Sequence, residues 1–151
     1  MSYGSPGGVA ALVRKFANAS GRFDNTTTPT VDDVEAWLVQ ISSMLDVALS
    51  GYAIGAPVTN ETIRPLLDAY ANAQVAAVAR GVNGQGRFGD KPQSADEMLL
   101  SAGADAAGWV KSWVGSFASI LNVTPDEVEA AAPAVVWRVV DIGAEVSGAA
   151  L

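Results

Sequence analysis

The chain has 151 residues, half of them hydrophobic and only 17% charged, which excludes disorder along its whole length and suits one domain with a real core. Sixteen Asp plus Glu against nine Lys plus Arg give a net charge of -7, and the bases are scattered from Arg14 to Arg138, so no basic face able to neutralise a run of phosphates is encoded. The absence of cysteine and histidine removes disulfides, Cys/His zinc sites and every Cys-His or Ser-His-Asp device.

Plentiful alanine and few aromatic residues favour closely packed helices over sheets, and the pattern predicts an all-α fold, a small bundle of about four to five helices. Residues 1–8, MSYGSPGG, read as a flexible N-terminal arm, with Gly4, Gly7 and Gly8 around Pro6. They lack the charged-then-apolar order of a secretory signal. Residues 9–132 read as the helical bundle. Its first helix spans Val9–Ala19, with Val9, Leu12, Val13 and Phe16 on one side. After a Thr-rich lead-in closed by Pro29, Thr30 offers a hydroxyl to free backbone amides, and Asp32, Asp33 and Glu35 complement the helix dipole. Val34, Trp37, Leu38, Ile41, Leu45, Ala48 and Leu49 then recur at three- and four-residue steps, which predicts an amphipathic helix over Val31–Ser50. Gly51, Gly55 and Pro57 stop it.

A third helix is predicted from about Asn60–Thr62 to Val82, with Pro65 early enough to be tolerated and Ile63, Leu66, Leu67, Tyr70, Gln74 and Val78 on one face. Gly81–Lys91, GVNGQGRFGDK, is a Gly-rich loop. It lacks the Gly-Lys-Ser/Thr of a phosphate-cradling loop, since Gly86 is followed by Arg87 and Phe88, and it reads as a connector or contact loop. The loop echoes Asn18–Asp24, NASGRFD. Each Gly-Arg-Phe follows a helix and precedes a capping box, Thr30 with Asp33 and Ser94 with Glu97. Arg22, Phe23, Arg87 and Phe88 are therefore candidate partner or oligomer contacts, the arginines for carboxylates and the phenylalanines for pockets.

Ser94 opens a fourth helix carrying Met98, Leu99, Ala102, Ala106, Trp109, Val110, Trp113, Val114, Phe117 and Leu121. Gly103, Gly108 and Gly115 within it suggest a closely approaching backbone. Thr124-Pro125-Asp126-Glu127 is a further helix start, and Pro133 kinks or breaks that last helix. Residues 133–151 read as a kinked, apolar C-terminal docking helix, in which Trp137 and Arg138 are candidate contacts of the kind enriched at interface hot spots. The apolar windows Met98–Leu121 and Val128–Val146 are interrupted by charges and Pro133, so no membrane span is expected.

The acidic clusters, Asp32/Asp33/Glu35, Asp96/Glu97 and Asp126/Glu127/Glu129, all fall at helix starts, where capping accounts for them. No catalytic residue, cofactor site or metal site is expected. Core packing is the expected role of Trp37, Trp109 and Trp113.

The order of parts over Gly21–Val58 resembles the head-tail connector (adaptor, or head-completion) proteins of tailed bacteriophages. It is carried by Gly21, Phe23, Thr28–Thr30, Val34–Leu38, Ile41, Ser42, Leu45, Asp46, Ala48, Leu49, Gly51, Tyr52 and Pro57–Thr59, with looser similarity to about Val82. Each piece alone is an ordinary capped helix, and the order of the pieces carries the likeness. The resemblance implies a non-enzymatic virion protein at the head-tail interface, assembled in the host cytoplasm. It implies a self-associated ring, a dodecamer matching the portal, that joins the portal protein to a stopper or tail-completion protein. Genomic DNA would pass through the channel without sequence-specific binding, and the chain after Pro133 would dock on the portal. A neighbouring tail-completion or tail-terminator protein, or a helical regulatory or binding protein unrelated to virions, is the alternative.

Overall fold

A computed structural model describes residues 1–85 and 91–124. Among them the regular elements are all helical: α1 (Pro6–Leu12), a 3₁₀ turn (Arg14–Phe16), α2 (Val31–Ser50), α3 (Arg64–Val82) and α4 (Ala95–Leu121). The all-α expectation is met by these four helices. Residues 133–151, expected to form the C-terminal docking helix, lie outside the described residues, as does the centre of the Gly-rich loop.

α2 has the bounds its sequence signals set. The Thr30 hydroxyl accepts from the Asp33 amide at 3.3 Å while the Asp33 carboxylate accepts from the Thr30 amide at 3.0 Å, so each residue satisfies a donor the helix start leaves open. The lead-in is organised by Asp24, whose carboxylate accepts from the Asn18 side chain at 2.6 Å and from the Thr26 amide at 2.8 Å. Hydrogen bonds from Thr26 and Asn18 hold the Asp24 carboxyl down at about 2. Val34, Leu38, Ile41, Leu45 and Leu49 form the buried stripe of α2. α4 packs chiefly across α2, α1 lies on α3, and α3 also meets α2 and α4.

Being packed by three neighbours, α3 departs from the expected stripe. Its buried face is Leu67, Ala71, Val75, Val78 and Ala79, whereas Leu66, Tyr70 and Gln74 are half-buried. Alanines carry little periodic signal yet permit close approach, and at Gly81 a Cβ would sit 2.5 Å from Met98 Sδ. The helix begins at Arg64, after an Asn60 turn whose side-chain oxygen accepts from the Thr62 amide at 2.9 Å and the Ile63 amide at 3.3 Å.

The N-terminus corrects the expectation of a free arm. Tyr3 is 0% exposed. Its amide donates to Ser42 Oγ at 2.7 Å, its hydroxyl donates to Asp46 Oδ1 at 2.6 Å, and that hydroxyl accepts from the Val58 amide at 2.9 Å. The Gly4 amide donates to Asp68 at 2.7 Å and the Ser5 amide to Asn72 at 2.9 Å, both on α3. Arg64 donates to the Ser2 carbonyl at 2.6 Å and to Asp68 at 3.0 Å, with its guanidinium 4.8 Å from the centre of the Tyr3 ring. Residues 2–5 are thus a strap across α2 and α3. Ser5 then caps α1 by accepting from the Gly8 amide at 3.1 Å, with Pro6 at the first position. Glycines and Pro6 suggest flexibility in sequence, but here they are a tight approach and a helix start.

The second capping box is also corrected. Ser94 is the N-cap of α4, yet its side chain makes no capping hydrogen bond, so the likeness of the two Gly-Arg-Phe units does not extend to their helix starts.

Candidate docking groove

The two helices that pack most extensively also leave an uncovered surface between them. On α2 the row Val39, Ser43, Val47 repeats every four residues, away from the buried stripe, and Met44, Ala48, Gly51 and Tyr52 lie alongside it. On α4 the wall is Gly103 and Ala107. Together they bound a groove of about 680 Å³.

Its floor is low because its residues are small. A Cβ on Gly103 would meet Met44 Sδ at 3.0 Å, so that glycine lets the Met44 side chain lie across the helix pair. Methionine adapts its shape to what it packs against. The rim is apolar and in water: Val47 is 74% exposed and Val39 56%. Fully burying one such side chain contributes about 1.5–3 kcal/mol. None of the lining residues is charged, and Gln40, Ser43 and Tyr52 supply its polar atoms. The groove is thus suited to bind an apolar surface.

A second cavity of about 530 Å³ lies between α3 and α4 and is more polar, with Gln74, Arg80, Gln85, Gln93, Glu97 and Asp105 among its lining. Arg80 is anchored by donating to the Leu12 carbonyl at 3.0 Å. Near it Tyr70 stacks on Trp109 with ring centres 4.4 Å apart, and burial, then the charge of Asp105, pushes the Tyr70 hydroxyl up to about 12. Among the described residues, no group of three or more Asp, Glu, His or Cys is placed to hold a metal ion, and no helix is long and apolar enough to cross a membrane.

Of the candidate contact residues, the two that are described, Arg22 and Phe23, line neither cavity. Arg22 is exposed in the loop before α2. Phe23, expected to fill a partner's pocket, is only 6% exposed and belongs to the chain's own core, which takes it out of reach of a partner. Arg87, Phe88, Trp137 and Arg138 lie outside the described residues. Trp37 is buried and Trp109 half-buried, as expected for core positions, but Trp113 is 38% exposed and its ring leans on Trp109 and Phe117 of its own helix.

Sequence periodicity alone does not single out Val39, Met44 and Val47. The signal is present as a second apolar row on α2, overshadowed by the longer stripe that shares the helix. No protein-family model, no curated protein and no solved structure matches the chain.

Proposed function

We propose that the chain is a non-enzymatic assembly protein of a tailed-phage neck, a head-tail connector. In this reading copies form a ring that joins the portal vertex to the stopper or tail around the DNA channel. The observation that carries the assembly role is the uncharged α2–α4 groove, rimmed by Val39 and Val47 in water. Exposed apolar surface of this kind marks an interaction site. The order of residues over Gly21–Val58 supports the neck assignment, and the acidic balance of -7 suits a protein that borders DNA without gripping it.

The polar α3–α4 cavity favours a second reading, a helical regulator that binds a small polar ligand. The two separate by sedimentation. A connector is expected to pellet with tail-less or complete virions at a fixed ratio and to grow in mass when mixed with portal-bearing capsids. A chain that stays at its free mass with every capsid and tail fraction, while a polar metabolite raises its melting temperature, would overturn the connector reading.

A further inference from the structure

We infer that the polar cavity between α3 and α4 is a binding site for a linear aliphatic polyamine, a triamine of the spermidine type. The site uses this cavity alone and stands whether or not the chain enters virions. Glu97, Ser101 and Asp105 line its α4 wall and repeat every four residues, so they share one row of the helix. Four residues of α-helix advance about 6 Å, which sets carboxylate, hydroxyl and carboxylate at even steps over about 12 Å. Three or four methylenes between nitrogens, with bonds of about 1.5 Å, hold successive amines of such a ligand about 5–6 Å apart. Its two primary ammonium groups then match Glu97 and Asp105, and the secondary one between them matches Ser101.

The rest of the lining suits the same ligand. Ala77 and Val78 of α3, with Met98 and Ala102 of α4, give its methylenes an apolar surface. Gly81 meets Met98 while Tyr70 stacks on Trp109, so the two helices run antiparallel and Gln74 lies at the Asp105 end, where its amide oxygen can accept from an ammonium. Among the described residues the single ion pair is Arg64–Asp68, so neither cavity carboxylate has a cation of its own. Arg80, the one base in the lining, donates to the Leu12 carbonyl. The Tyr70 hydroxyl, one turn before Gln74, is buried and without a hydrogen-bond partner among the described residues. An ammonium at Asp105 gives that oxygen a donor, and the Tyr70–Trp109 stack offers it ring faces. Carboxylates about 12 Å apart cannot share one metal ion, so the cavity selects an extended cation over a compact one.

Isothermal titration of the whole chain with spermidine tests this. One saturable site is expected, bound at least tenfold more tightly than 1,4-diaminobutane, which reaches only two of the three acceptors, and than magnesium at equal ionic strength. Asp105→Asn and Glu97→Gln are each expected to weaken spermidine at least tenfold, whereas Glu35→Gln, which removes the same charge from an exposed position of α2, leaves it unchanged. The ligand 1,8-diaminooctane keeps both ends but lacks the middle nitrogen, and Ser101→Ala is expected to narrow the gap between it and spermidine. Helical circular dichroism checks each variant, and the ligand series on the unaltered chain decides the matter if a variant fails to fold. Absence of saturable binding overturns the inference. So does equal affinity for magnesium and the triamine, or an equal loss in Glu35→Gln, either of which reduces binding to diffuse attraction by the net charge of -7. Unchanged affinity in both Asp105→Asn and Glu97→Gln overturns it as well. A chain that enters virions but binds no triamine loses this site alone, and one that binds it but never enters virions loses the connector reading alone.

Discussion

Tyr3 is the residue on which the N-terminal strap turns. Its hydroxyl sits between the Asp46 carboxylate and the Val58 amide, and burial followed by the Asp46 hydrogen bond raises it from its ordinary 10.0 to about 12. Tyr3→Phe keeps the ring but leaves the Val58 amide and Asp46 without their partner, at an expected cost of about 1–3 kcal/mol by denaturant unfolding. The raised value also fixes the sign of a pH effect. Stability from a hydroxyl whose folded value lies above its unfolded one is fully present below pH 10 and drains away as pH rises towards 12. Tyr70 is raised to about 12 as well and adds its own slope in the same window. The variant should therefore show a shallower alkaline decline than the parent between pH 10 and pH 12. An identical slope would place the shift elsewhere. Nothing in MSYGSPGG announces this role, because a tyrosine's partners at Ser42, Asp46 and Val58 are far from it along the chain.

At the level of elements, legibility followed the strength of local rules. α2 was readable to its ends because Thr30, Asp33 and the apolar repeat all belong to one short stretch. α3 was readable as a helix but not in its orientation, because three neighbours bury its alanines and the larger Leu66 and Tyr70 are left at the edge. In α4 all three glycines suggest close approach on sequence grounds, and the structure separates them. Gly103 faces Met44, whereas a Cβ on Gly108 or Gly115 would meet nothing within 4 Å. Gly108→Ala is therefore expected to raise stability by about 0.5–1 kcal/mol through helix propensity alone, measured as a shift in the denaturant midpoint at constant slope. A loss of stability would mean that this face of α4 is occupied.

At the scale of the whole molecule, the all-α class was legible from composition and period, while the groove was not. It exists only because α2 and α4 cross with Gly103 against Met44, and no rule of local sequence states which helices will meet. Its exposed rim, Val39 and Val47, could have been found by asking why a helix with a complete buried stripe carries further valines. The strap has a kinetic consequence of another kind. Residues 3 to 5 hydrogen-bond to Ser42, Asp68 and Asn72, so during synthesis they must wait until α3 has been produced. Bringing such distant partners together costs loop-closure entropy, which places this contact late on the folding path. Tyr3→Phe should then accelerate unfolding while leaving the refolding rate nearly unchanged in stopped-flow experiments, and slowed refolding would put the strap in the nucleus. A chain seated this way is fastened last by a segment made before the helices it ties together, and its lifetime in the folded state is governed by that strap.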